Sequence, residues 1–158
     1  MALLAAVALH EAVSRHAEEV RIKWPNDLIA AGAKLAGILL ERQGHAVVIG
    51  FGVNLAHHPE MLGRSVTSLK ALAGAAPDAG IFAETLAEIF ARWLARWRHD
   101  GHAPILAAWC AAAHPVGTAL NTPEGEGLFD GLDDSGALRL RLADGTTRII
   151  HAGDVFLI

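Results

Sequence analysis

At 158 residues the chain has room for one ordinary domain, or a domain with a small appendage, and for a real core. Its 53% hydrophobic and 19% charged residues describe a folded globular protein and exclude intrinsic disorder. A net charge of -4 without a dense run of Lys and Arg gives no electrostatic footprint for nucleic acid, and one cysteine, Cys110, cannot form an internal disulfide, which fits a reducing compartment.

The opening run, Met1 to Leu9, is apolar but lacks the basic leader of a signal peptide. His10 and Glu11 interrupt it far short of the roughly 20 apolar residues that cross a bilayer. No membrane span is expected. Leu3, Leu4, Val7 and Val13 instead predict a buried helix from about Ala2 to Glu18. Val20, Ile22 and Trp24 then alternate with Arg21 and Lys23, the period of a half-buried strand, until Pro25 denies the ladder a donor. Asn26 and Asp27 therefore sit at a strand mouth. After the Ala31-Gly32 turn, the short apolar run Leu35 to Leu40, with Gly37 inside it, predicts a buried return strand. This geometry would bring Asp27 and Lys34 together at one end of a sheet. His45 to Asn54 predicts the third strand of an antiparallel meander.

Residues 55 to 80 read as irregular, apart from a short strand or helical turn near Ser65 to Leu72. Asp78 predicts the N-cap of a long helix in which Phe82, Leu86, Phe90 and Leu94 recur beside Ile81, Ile89, Trp93 and Trp97 as a core stripe. Asp100-Gly101 stops that helix, and an alanine-rich one follows from about Pro104 to Ala113. From Val116 short strands alternate with Asp/Gly turns, and Leu138, Leu140 and Leu142 alternate with Arg139 and Arg141. That pattern predicts a small SH3-like β-barrel of about five strands, hence domains 1–113 and 114–158.

Three blocks carry a family resemblance: Lys23-Trp24-Pro25-Asn26-Asp27, then Lys34-Leu35-Ala36-Gly37-Ile38-Leu39, then Gly50-Phe51-Gly52-Val53-Asn54-Leu55. In this order and spacing they resemble the catalytic domain of biotin protein ligases, and the tail from Gly127 resembles that family's C-terminal barrel. The resemblance implies an α+β fold, with a mixed, mainly antiparallel sheet and helices of the class II synthetase type, followed by the SH3-like barrel. It implies an ATP- and Mg2+-dependent cytoplasmic enzyme that activates biotin to biotinyl-5′-AMP. The biotinyl group then passes to a lysine on the biotin carboxyl carrier protein domain of a biotin-dependent carboxylase. A homodimer is compatible with it.

Residue by residue, Lys34 matches the family lysine whose ammonium stabilises charge on the phosphoryl oxygens. Asp27 matches a carboxylate that organises Mg2+ and reactants and accepts the proton of the incoming amine. Lys34, Gly37, Leu39 and Gly50 match the biotin pocket, where the missing Cβ atoms let backbone approach the ureido ring. Asn26 and Asn54 match the adenylate site, Asn54 reading the adenine edge through its amide. Without the resemblance, Lys34 is a solvated lysine at a turn, Asp27 and Asn26 are corner formers, the two glycines are bulges and Asn54 ends a strand. Two other readings compete: a non-catalytic module that binds biotin or a carrier, and a lipoate-type acyl ligase.

Gly50-x-Gly52 lacks the third glycine and following helix of a dinucleotide fingerprint. The nine histidines read as surface residues, since none has ligand spacing with a cysteine. Trp93 and Trp97 read as core, and Cys110 as inert packing. The family's Gly/Arg-rich phosphate loop and early strands precede the first block by many tens of residues, whereas 22 residues precede Lys23 here. The expectation is the C-terminal part of a longer ligase, with an exposed sheet edge, an uncovered apolar face and a tendency to self-associate.

Overall fold

The computed structural model describes residues 1–60, 63 and 65–158. Within the stretch read as irregular, residues 61, 62 and 64 lie outside the described residues. Helix α1, Ala2–Val13, buries nine of its residues, which only an element enclosed on most sides can do. It ends earlier than the sequence suggests. Ser14 N–H closes the last turn on the His10 carbonyl, and Glu19 adopts a positive φ of 54. The polar stretch from Ser14 to Glu19 has too little apolar surface to hold further turns against the core.

Four strands follow in chain order: β1 (Arg21–Lys23), β2 (Asp27–Ala30), β3 (Ala33–Gln43) and β4 (Ala46–Val53). They form one antiparallel sheet in the order β1-β2-β3-β4. The alternation in β1 is as predicted, with Val20, Ile22 and Trp24 all buried. Strand β2 is an addition to the expected three. Leu28, Ile29 and Ala30 are buried, but four residues between two turn signals are too few to show a period. At the β4 edge, Val47 and Val48 are 45% and 50% exposed. Val47, Ile49, Phe51 and Val53 line an open apolar cleft with Phe82, Leu86 and Phe90. The anticipated exposed edge and uncovered apolar face are both present.

Ser68 caps the short α2 (Leu69–Ala73) and Asp78 caps the long α3 (Ala79–Asp100), its carboxylate accepting from Gly80 and Ile81 N–H. Only Phe82, Leu86 and Ile89 of the α3 stripe are fully buried, while Ile81 and Trp97 are 65% and 37% exposed. The helix has 22 residues and lies against α1, which has 12, so its ends overhang. Arg92 and Trp93 of α3 both donate to the Glu11 carboxylate of α1 and fix the crossing. Helix α4 (Ala103–Ala112) carries Pro104 in its first turn as expected. Cys110 on this helix is exposed, which corrects its reading as packing.

The tail forms β5 (Ala119–Thr122), β6 (Gly125–Leu132), β7 (Leu138–Arg141), β8 (Thr147–Ile150) and β9 (Phe156–Leu157), ordered β8-β7-β6-β5-β9. Five short antiparallel strands match the pattern read from the turns. Leu138 and Leu140 point inward with no exposure. Both sheets share a core: Trp109 of α4 meets Phe129 at a ring separation of 6.4 Å, and Trp24 Nε1 donates to the Gly136 carbonyl at 3.2 Å. Gly136 has a φ of +87, and a Cβ there would lie 2.5 Å from Leu3 Cδ1.

Among the histidines, His10 and His114 are half-buried rather than exposed. His10 Nε2 donates to the Val20 carbonyl at 3.1 Å, and burial, reinforced by the charge of Arg21, pushes its pKa below the ordinary histidine range. His114 is lowered in the same sense, first by burial and then by Arg21 and Lys23. In the unfolded chain both bind protons near pH ~6.5. Below that pH the unfolded state takes up protons first, so stability is full above it and declines as pH falls towards the folded-state values.

The packing at Gly136 and the burial of His10 can each be tested by unfolding. Gly136→Ala combines a left-handed backbone with the Leu3 clash and costs about 2 kcal/mol or more, whereas Gly145→Ala, with φ +84 and open space around it, costs only the backbone strain of about 1 kcal/mol. Urea unfolding of the two variants compares them. Thermal unfolding between about pH 7 and about pH 5 shows a falling midpoint, and His10→Gln makes the fall shallower.

Candidate active site

The β2–β3 hairpin places the charged pair. Asp27 opens β2 directly across from Gly37, and Lys34 is the second residue of β3. Lys34 Nζ lies 2.6 Å from Asp27 Oδ1, with 33% and 15% of the two side chains exposed. The pair closes over Gly37, where a Cβ would stand 3.1 Å from both Asp27 Oδ1 and Lys34 Nζ, a tighter contact than side chains usually make.

Asn26 is bound to the same strand. Its Nδ2 donates to the Ile38 carbonyl at 2.6 Å and its own carbonyl accepts from Ile38 N–H at 3.0 Å. Its amide is therefore used across the hairpin rather than in a local turn. Further along, Leu39 faces Gly50 and Gly37 faces Gly52 in the uninterrupted β3–β4 register. Neither Gly37 nor Gly50 forms a bulge in that ladder. Gly37, Gly50 and Gly52 together leave a flat strip of bare backbone beside the ion pair, with Leu39 62% exposed at its far side.

Asn26, Asp27, Lys34, Gly37, Leu39 and Gly50 thus line one open groove, with Ile38, Phe51 and Gly52. Gly52 was not singled out in the sequence, although its two-residue spacing from Gly50 put it on the same face. Asn54 is not part of the groove lining. It lies just beyond β4, where its N–H donates to Leu35 O at 3.1 Å and its Nδ2 to Thr67 O at 2.9 Å.

What the groove can do follows from its few polar groups. An ammonium held by one carboxylate can turn part of its hydrogen-bonding capacity to an incoming anion, and a flat glycine floor admits a planar group close to the main chain. A resident metal ion does not fit. Asp27 is the only carboxylate lining the groove, one of its oxygens is held by Lys34, and among the described residues no three His, Cys, Asp or Glu side chains gather to hold a metal.

Comparison with known proteins identifies the family. The profile of the biotin/lipoate A/B protein ligase family matches residues 1–54, and that of the biotin protein ligase C terminal domain matches residues 118–158. A biotin–acetyl-CoA-carboxylase ligase of Paracoccus denitrificans is 40% identical over 173 residues, covering 99% of this chain and 72% of the relative. The chain belongs to the biotin protein ligase family.

Within the biotin protein ligases, the enzyme of the same name from Mycobacterium tuberculosis is 38% identical over 143 residues, covering 87% of this chain and 53% of the relative. The chain thus spans between about half and three quarters of these relatives' lengths. A biotin protein ligase from Aquifex aeolicus, solved in complex with biotin and ATP, superposes with a TM-score of 0.87 at 20% identity, over 99% of this chain and 70% of the other. That likeness extends the shared fold over both sheets.

Gly37 gives the sharpest test of the groove's geometry. Gly37→Ala leaves the fold intact, because the atoms it meets are the ends of flexible side chains, but shifts Lys34 Nζ and Asp27 Oδ1 from their places by a few tenths of an ångström. Gly50→Ala, whose Cβ would meet only Leu39 at 3.9 Å, keeps the pair closed. Crystal structures of the two variants check both outcomes.

Proposed function

We propose that this groove carries the two half-reactions of a biotin protein ligase. The observation that supports the reading most directly is the Lys34–Asp27 pair, closed over Gly37 at 2.6 Å beside a glycine floor. In the first step a biotin carboxylate oxygen attacks the α-phosphorus of ATP. The bond to the β-phosphate oxygen breaks and pyrophosphate leaves. Lys34 is assigned to hydrogen-bond the phosphoryl oxygens through its ammonium, because their charge is better stabilised in the transition state than in the ground state. Being tethered to Asp27 beforehand, it needs little reorganisation when the reaction begins.

In the second step the neutral amine of a carrier-protein lysine attacks the acyl carbon of the adenylate. AMP leaves with the electrons of the acyl–oxygen bond, and the amine's proton passes to a base. Asp27 is assigned that role, because a lysine amine, which in water loses its proton only around pH ~10.4, is almost wholly protonated at neutral pH and needs an acceptor as it reacts. Gly37, Leu39 and Gly50 bind biotin, with Gly37 and Gly50 admitting its ureido ring to the backbone. Asn26 and Asn54 serve the adenylate. Magnesium enters with ATP as part of the nucleotide substrate, and no step is assigned to it here. The acceptor is the biotin carboxyl carrier protein domain of a carboxylase, in the cytoplasm. Residues 1–113 form the catalytic unit and 114–158 the appended barrel.

The test is biotin-dependent exchange of labelled pyrophosphate into ATP by the purified chain, with magnesium present and a biotin-free control. Exchange is expected, and Lys34→Ala lowers it by about 100-fold or more while Lys70→Ala leaves it unchanged. Biotin binding with no exchange from a folded sample would replace the enzymatic reading by that of a binding module. Exchange that survives Lys34→Ala would remove Lys34 from the chemistry.

A further inference from the structure

Strand β4 is last paired with β3 where Val53 meets Ala36. Beyond that point a different segment takes its place beside β3. Residues Ser65 to Thr67 run parallel to it, with Val66 bridged to Lys34. Lys34 N–H donates to Ser65 O at 2.9 Å, and Lys34 O accepts from Thr67 N–H at 2.9 Å. On its other side Lys34 faces Ile29 of β2, next to a register shift between Leu28 and Ile29. A bulge there leaves the ladder locally disrupted. The 65–67 segment is therefore the regular support of the Lys34 backbone.

Asn54 joins that segment to the sheet. Its N–H donates to Leu35 O at 3.1 Å, its carbonyl accepts from Leu69 N–H at 2.9 Å, and its Nδ2 donates to Thr67 O at 2.9 Å. Thr67 is buried, so its carbonyl would lose a partner that is costly to replace.

We propose that Asn54 is a positioning residue for Lys34: by holding the Thr67 carbonyl it fixes the strand that brackets the Lys34 backbone, and so fixes where the ammonium meets Asp27. The catalytic meaning of this rests on the reading of Lys34 given above. A lysine carries its charge on a flexible four-carbon stem, so the place of Nζ depends on where the backbone starts the stem. A misplacement of about 1 Å at a reacting group can cost on the order of 100-fold in rate. The role differs from a contact with adenine, because it acts through protein atoms and is present without any ligand. One Asn54 amide donor is committed to Thr67 before a nucleotide arrives.

The chain has three lysines, Lys23, Lys34 and Lys70, so reductive 13C-methylation gives lysine NMR signals that single Lys→Arg variants assign. In Asn54→Ala the Lys34 signal is expected to move towards its position in the unfolded chain while the Lys23 signal stays. Amide exchange at Lys34 and Thr67 quickens by about tenfold or more. Asn54→Asp, of the same size but without the donor, does the same. A Lys34 signal unmoved in either folded variant overturns the proposal. The unsubstituted chain provides a check that needs no variant to fold: the Asn54 side-chain amide protons exchange more slowly than those of the exposed Asn121, and equal rates overturn the proposal.

None of these readouts needs turnover. A displaced Lys34 signal in a chain without pyrophosphate exchange upholds the positioning role and sinks only the enzymatic reading. In a chain that does exchange, Asn54→Ala lowers kcat in addition to any rise in the KM for ATP from the lost adenylate contact. A raised KM at full kcat would overturn positioning and leave the adenylate role alone.

Discussion

The ion pair between Lys34 and Asp27 is the contact that the surrounding structure is arranged to permit. The pair meets at 2.6 Å directly over Gly37, where a Cβ would crowd both partners at 3.1 Å. Once that position lacks a side chain, Asp27 can lie at the start of β2, Lys34 at the start of β3, and both can lean over the same stretch of backbone. Gly52, across from Gly37, and Gly50, across from Leu39, continue the bare surface. A Cβ at Gly37 would crowd and shift the pair while the sheet stays folded. The requirement is thus one of local clearance, separate from the core that keeps the domain folded.

That core lies behind the groove and draws on the whole chain. Helix α1 is enclosed by α3, α4 and the first sheet, and Leu3 at its beginning touches the second sheet beside Gly136. Trp24, the last buried residue before the Pro25 corner, sends its indole N–H to the Gly136 carbonyl. The corner that delivers Asn26 and Asp27 is therefore anchored beside the second sheet by the residue two positions before Asn26. Movement of the second sheet relative to the first would be felt at the strand mouth, although no residue of the second sheet lines the groove.

The candidate site was legible in the sequence to the extent that it is local. Asn26 to Gly50 all lie on two successive hairpins, so alternation and turn residues were enough to bring Asp27 and Lys34 to one end of a sheet. The caps at Asp78 and Gly101 and the five strands of the tail were legible for the same reason. What escaped was either too short or too distant. Strand β2 offers four residues and no period. The exposure of Ile81, Trp97 and Cys110 depends on which elements reach those turns, and the burial of His10 on the chain returning at Val20. The pairing of Ser65–Thr67 with Lys34 joins residues more than 30 positions apart, and the short strand or turn read near Ser65 to Leu72 carried no sign of its partner.

This last contact alters how Asn54 should be understood. An asparagine that ends a strand commonly satisfies its own turn, and one beside a nucleotide site commonly reads a base. Here its main chain and side chain bind Leu35, Thr67 and Leu69, three residues from two separate stretches. A serine would be too short to span the same gap, and an aspartate would set an acceptor against the Thr67 carbonyl. The geometry therefore requires an amide donor at position 54 whether or not adenine is present. The family-like Gly-x-Gly-x-Asn block can be read mechanically: its glycines clear the floor of the groove, and its asparagine holds the segment that brackets the Lys34 backbone.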